Sequence, residues 1–327
     1  MKIKYTKNFL KYTNLVRQNK VKFFVFDGLD GSGKGTLANL LCEHLVYNGY
    51  NVVFVELPDY SSPIGRLIKD MLKGSFNLVL NQTMALFALN RLEVLPAIIL
   101  SALKLYTENN KDICVVFDRF VTSNILTIAY NYSKLLSVEY KNSFNDDKVI
   151  FEMLTKIYKQ DDINTHFISL LNLDKYFLRL LRFSSKHPIF VPKIHPVDAI
   201  YRIRNDVSRV EVDKYENELV QSIADYLYKS FFTNFNYKFN ICFLDQRDKR
   251  PEDVIYQAIT YSSSSISPHN NSTLSKGEFL SVSYKNLEDM NLLMQYKLEL
   301  NLVRHLILYL INSFNLNFIN YTYEAVP

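Results

Sequence analysis

The sequence predicts a three-layer α/β fold: a parallel sheet with helices on both faces, followed by a helical C-terminal extension. Three observations predict it. Short apolar, β-favouring runs alternate with segments whose leucines and isoleucines recur at helical spacing, the pattern of a buried parallel sheet. A cluster of glycines joins the first such run to the first such segment. A tract of serine and asparagine after Ser262 then marks off a leucine-rich tail.

The chain opens on a basic stretch. Residues 1 to 22 hold Lys2, Lys4, Lys7, Lys11, Arg17, Lys20 and Lys22 and no acid. Targeting peptides also lack acids but favour Arg and Ser, so residues 1–19 read as a solvated basic N-terminal extension. Val21 to Phe26 follows as a buried strand, and Leu37, Leu40, Leu41 and Leu45 mark a helix. Between them lie Gly28, Gly31, Gly33 and Gly35, from a chain with only 8 glycines in 327 residues. Glycine costs backbone entropy and packs nothing, so the cluster needs a local cause. A strand, a glycine turn and a helix let consecutive backbone N–H groups point at one anion. The spacing Gly28-x-x-x-x-Gly33-Lys34 is that of a Walker A loop, which makes the expected architecture a P-loop NTPase fold. Gly28, Leu29, Asp30, Gly31, Ser32, Gly33, Lys34, Gly35 and Thr36 are the expected ATP-binding residues. One position departs from the pattern. Gly35 stands where Ser or Thr usually follows the lysine, and the hydroxyl comes at Thr36.

Asn51 to Leu57 is a second strand, closed by the turn sequence PDYSSPIG. Helical spacing resumes at Ile64, Leu67, Ile68, Met71 and Leu72, and again from Met84 to Leu105. ICVVFDRF, residues 113–120, is a third buried strand that ends in charge. Residues 124–160 read as helices with a polar break at 142–148. HFISLL, residues 166–171, reads as a fourth strand, followed by a helix carrying Arg179 and Arg182. A loop with Pro188, Pro192 and Pro196 leads to a basic stretch holding Arg202, Arg204 and Arg209. A helix from Tyr215 to Phe232 and a strand from Phe239 to Leu244 complete a domain over residues 20–261. Residues 262–282 read as a polar linker and 283–327 as a helical extension, with one long helix from Leu287 to Leu310. Ligands of parallel sheets bind at the carboxyl ends of the strands, where the glycine loop, Pro58 to Tyr60 and Asp118–Arg119 all fall.

The net charge of +5 suits nucleotides and is too weak to imply nucleic acid. Cys42, Cys114 and Cys242 lie far apart, without a disulfide framework or zinc spacing, and read as thiols in a reducing compartment. No uncharged apolar run reaches the roughly 18 residues of a membrane span. The closest run, Leu302 to Ile319, is broken by Arg304 and His305.

DRFVTSN at the end of the third strand, with FALNR and LPDYSSPIG, makes residues 20 to 260 resemble thymidylate kinases, which are P-loop nucleoside monophosphate kinases. The resemblance implies ATP-dependent phosphorylation of dTMP to dTDP with Mg2+, in a cytoplasmic enzyme that commonly forms a homodimer. It places Asp30 near the sugar and the metal, Arg119 on the acceptor phosphate and Asp118 at the metal, with Thr36 supplying the hydroxyl. It puts Pro58 and Tyr60 in the acceptor loop, Phe87 and Arg91 on the base, and Ser123 and Asn124 at the pyrimidine edge. Phe87 and Arg91 are four apart and so share one helix face, which lets stacking and hydrogen bonding converge.

Two departures from the family pattern shift the cation supply. Gly31 occupies a place that some members give to a basic residue, which assigns catalytic charge to Lys34 and to lid arginines: Arg202, Arg204 and Arg209. The acceptor loop lacks the family's arginine, and Tyr60 stands in that region. Two other functions fit the same residues: a kinase for another nucleotide such as dUMP, and a weakened kinase-like protein acting as a nucleotide-binding partner. A guanine-reading Asn-Lys-x-Asp motif, which a GTPase switch would need, is absent.

Overall fold

The computed structural model describes residues 6–139, 152, 154, 160–206, 213–235, 238–262, 277–284, 286, 307, 308, 310 and 311. Six strands make one parallel sheet: β1 (Val21–Phe26), β2 (Asn51–Glu56), β3 (Ile113–Asp118), β4 (Pro188–Lys193), β5 (Asn240–Asp245) and β6 (Phe279–Val282). Their order is β5-β4-β1-β3-β2-β6, and every pairing is parallel. Nine helices can be named among the described residues: α1 (Lys7–Arg17), α2 (Lys34–Tyr47), α3 (Pro63–Leu72), α4 (Leu80–Asn109), α5 (Asn124–Glu139), α6 (Gln160–Leu181), α7 (Pro196–Arg204), α8 (Glu218–Phe235) and α9 (Pro251–Tyr261).

Side chains alternate across a strand, so each strand feeds two cores. Phe23 and Val25 of β1, with Ile113, Val115 and Phe117 of β3, join the larger core under α1, α3, α4, α5, α6 and α8. Phe24 and Phe26, with Cys114 and Val116, join the smaller one under α2 and α9. Burial on both faces explains why these strands are apolar throughout. α4 is long and apolar enough by composition to cross a membrane, with mean hydropathy 1.7, yet 89% of that window is buried in the larger core.

Several elements differ from the sequence expectation. HFISLL lies inside α6 rather than in a strand: Ile163, Phe167, Leu170, Leu173 and Phe177 are all buried at helical spacing, and over this length that period overrides a six-residue apolar run. The fourth strand is instead β4, drawn from the proline-containing segment. Pro188 is its first residue, a position that strands tolerate. From Lys7 onward the N-terminal extension packs one face on the core rather than standing free in solvent. Phe9, Tyr12 and Leu15 of α1 are buried, and the Tyr12 hydroxyl donates to the Leu181 carbonyl at 3.1 Å. The expected linker ends in β6, which pairs along β2 from Val52↔Phe279 to Val55↔Val282. Ile307 and Leu310 of the tail are buried in the larger core. Residues 142–148 and 287–306, and with them most of the expected long helix, lie outside the described residues.

Candidate active site

The glycine loop spans the β1–α2 junction. Lys34 opens α2. Its Nζ donates to the Leu29 carbonyl at 3.0 Å and pairs with Asp30 Oδ1 at 3.0 Å. The same Asp30 oxygen pairs with Arg119 Nη2 at 2.5 Å. Burial pushes the Asp30 carboxyl up, but Arg119 and Lys34 outweigh it and hold the group well below the usual carboxylate range. Lys34 is pulled down, by burial first and then by the Arg119 charge, against the opposing pull of Asp30 and Asp118. Arg119 sits at φ 69°, a left-handed conformation that non-glycine residues hold at a cost of about 1–3 kcal/mol and that clusters at functional sites.

Two glycines have close neighbours. Gly31 has φ +74°, and a Cβ there would meet the Ala199 carbonyl oxygen at 2.2 Å, so only glycine lets α7 seat against the loop. A Cβ at Gly35 would lie 2.8 Å from Asp118 Oδ2. That atom ends a side chain, so a larger residue at position 35 would require the carboxylate to shift.

One cleft lies over the loop. Gly31, Gly33, Lys34, Gly35 and Thr36 line it with Glu56, Asp118, Arg119, Arg202, Gln246 and Lys249. Arg202 donates to Gln246 Oε1 at 3.4 Å, and Gln246 donates to the Ser32 carbonyl at 2.9 Å, tying α7 to the loop. Arg204 is exposed and lines neither this cleft nor the next. Arg209 lies outside the described residues. The donor set fits a magnesium ion. Asp118 Oδ1 is buried without a hydrogen-bond partner, and Thr36 and Glu56 face the same cleft. Among the described residues no group of three or more His, Cys, Asp or Glu could hold a metal by itself. That suits Mg2+, which keeps waters and binds through one or two carboxylates together with substrate phosphates. Asp30, by contrast, has both cations as partners.

A second pocket adjoins the first. Asp30, Pro58, Tyr60, Phe87, Asn90, Arg91, Arg119, Ser123, Asp213 and Tyr215 line it. Arg91 is locked by a bidentate pair with Asp174, Nε to Oδ1 and Nη2 to Oδ2, both at 2.7 Å. The pair leaves Nη1 with its two donors. Burial pushes the Asp174 carboxyl up, against the lowering pull of Arg91. Ser123 reaches the pocket, whereas Asn124 does not line it: its Nδ2 donates to the Met84 carbonyl at 3.3 Å and its Oδ1 is buried without a partner.

Three of the supporting residues, Asp27, Asp174 and Gln221, were not singled out by sequence. Asp174 was legible in principle, because an acid on the apolar stripe of a helix is a buried charge needing a partner. Asp27, just before the loop, is fully buried. It accepts from Gly28 N at 2.9 Å, Ser123 Oγ at 2.6 Å, Tyr228 OH at 3.2 Å and the Thr122 hydroxyl. One carboxylate thereby joins the glycine loop to the second pocket. Gln221 accepts from Asp30 N at 3.0 Å and donates to the Tyr215 carbonyl at 3.0 Å, fixing the loop from α8.

Residues 26–159 match the family model for thymidylate kinase. The chain is similar to the thymidylate kinase of Schizosaccharomyces pombe, 32% identical over 39% of this chain and 56% of that protein. It is similar to that of Caldanaerobacter subterraneus, 32% identical over 41% of this chain and 58% of that protein. A thymidylate kinase of Leptospira interrogans aligns over its full length with 68% of this chain, at 28% identity. The chain spans a little over half the length of the first two.

Proposed function

We propose that this chain is a thymidylate kinase, which transfers the γ-phosphoryl group of ATP to dTMP and releases ADP and dTDP; the match of residues 26–159 to the thymidylate kinase family model supports this. The observation that carries the proposal is that Arg119 lines both clefts while its partner Asp30 lines the acceptor pocket and pairs with Lys34. One ion-paired cluster therefore sits where donor and acceptor phosphates would meet.

Phosphoryl transfer asks for positioning and charge neutralisation rather than covalent help from the protein. The dTMP phosphate oxygen attacks the γ-phosphorus in line, and the bond to the β–γ bridging oxygen breaks, with its electrons leaving on ADP. Lys34 and the loop N–H groups hold the donor phosphates. Arg119 holds the acceptor phosphate against them, and Arg202 adds charge from α7. Asp118, with Thr36, would hold Mg2+, which would neutralise phosphate charge there. Phe87 offers a face to the base, and the free edge of the Arg91 guanidinium donates to it. The same proposal includes a cytoplasmic enzyme acting on free nucleotides, and a homodimer that light scattering checks.

Purified protein mixed with ATP, magnesium and each nucleoside monophosphate in turn, with ADP followed, tests the proposal. ADP release that depends on dTMP is the expected result. A preference for another monophosphate, or none for any, overturns it.

A further inference from the structure

The loop that presents Pro58 and Tyr60 to the acceptor pocket is pinned from two sides. From α4, Asn90 Oδ1 accepts from Asp59 N at 3.0 Å, and Asn90 Nδ2 donates to Ser62 Oγ at 2.9 Å. Within the loop, Asp59 Oδ1 accepts from Ser61 N at 2.9 Å and from Ser61 Oγ at 2.6 Å. The other carboxylate oxygen accepts from Tyr284 N at 2.7 Å. That donor comes from the far end of the chain. The segment carrying it is anchored to the sheet before it arrives. Gly277 N donates to the Val46 carbonyl at 2.9 Å, Val52 N to the Glu278 carbonyl at 2.7 Å, and Glu278 N to Asn51 Oδ1 at 3.1 Å. β6 then runs in register with β2 to Val282, two residues short of Tyr284. Asn286 Nδ2 closes the turn by donating to the Ser281 carbonyl at 2.9 Å.

We propose that residues 277–284 are a positioning element of the acceptor site, in which the Tyr284 backbone N–H holds the Asp59 carboxylate and so fixes Pro58 and Tyr60. This rests on the acceptor role given above to that pocket. A charge-assisted hydrogen bond is about twice as strong as a neutral one. Asp59 is only 7% exposed, so water does not readily replace the lost donor. Pro58 and Tyr60 flank Asp59 and both line the pocket, so a shift of Asp59 moves both contacts. β6 supplies the rigidity, since its pairing with β2 sets where residue 284 can lie.

Full-length Tyr284→Pro, Asp59→Asn and the double variant test this. Proline deletes the N–H, and the amide of asparagine turns one acceptor into a donor facing a donor. Amide hydrogen exchange over residues 59–66 is expected to speed up by about tenfold or more in each variant, with residues 28–36 unaffected. The KM for dTMP should rise about tenfold, while that for ATP stays within about twofold. The double variant should match the worse single one, because both remove one bond. Unchanged exchange in the loop, additive effects, or equal rises in both KM values would overturn the proposal. If Tyr284→Pro does not fold, Asp59→Asn decides alone, since it leaves β6 intact. Wild-type protein that turns over no dTMP defeats the functional proposal, and the exchange result still decides the tether.

Discussion

The glycine loop takes one run of consecutive residues, Gly28 to Thr36, whereas the second pocket draws on chain from Asp30 to Tyr215 and on supports as distant as Tyr284. The loop is a local object: backbone N–H groups, a sterically required glycine at position 31 and one lysine at a strand–helix junction. The pocket is a meeting of segments, held by buried polar pairs such as Arg91–Asp174 and the contacts of Asn90 with the Asp59–Ser62 turn. The difference implies separable failure. Damage to the loop should remove chemistry and leave the fold, while damage to the pocket's supports should cost stability and acceptor binding together.

The largest effect is expected from Asp174→Ala. It leaves the Arg91 guanidinium, 2% exposed, without its partner, and breaking a buried pair costs about 3–5 kcal/mol. Urea unfolding measures it, and a loss under about 1 kcal/mol would mean that the pocket does not depend on this pair. Next comes Lys34→Ala, which should lower kcat by about 10²–10³ while the urea midpoint barely moves, because Asp30 keeps Arg119 as its partner. Near-normal turnover in that folded variant would remove the distinction between the two regions.

Glu93 sharpens the comparison through pH. It lies 1% exposed behind the acceptor turn and accepts from Ile64 N at 3.2 Å. Burial pushes its carboxyl from 4.5 up to about 7. A raised carboxyl favours the protonated fold, so its contribution is fully present below pH 4.5 and is lost as pH rises through about 7. Glu93→Gln, which cannot ionise, should flatten the decline in stability across that window by roughly 1–3 kcal/mol. Thermal unfolding between pH 4 and pH 8 checks it; parallel profiles for the two proteins would refute it. The smallest contrast is between two arginines of α7. Arg202→Ala should raise the KM for ATP about tenfold through a lost charged contact, and Arg204→Ala should change it less than about twofold. Equal effects would place both on the donor cleft.

The sequence by itself determined the glycine loop, the strands β1, β2, β3 and β5, the helices α2, α3, α4 and α8, and the sheet's parallel character. Each depends on short-range physics: short apolar runs buried on both faces, period-3.6 stripes, and glycine spacing around an anion. Tertiary structure decided the rest. HFISLL is apolar enough for a strand or a helix, and only its place in the longer stripe of α6 settles which. The prolines of β4 look like a loop until β1 and β5 pair with that segment. β6 is four residues long, too short for a period to show, and acquires its meaning from the open edge of β2. Gly35 departs from the motif, and only the fold brings the Asp118 carboxylate beside it. Asn124 has the right chemistry for a base and lies outside the pocket lining, since only packing says which way a side chain turns. In each case the deciding partner lies far away in the chain, and residue order alone does not say which distant groups will meet.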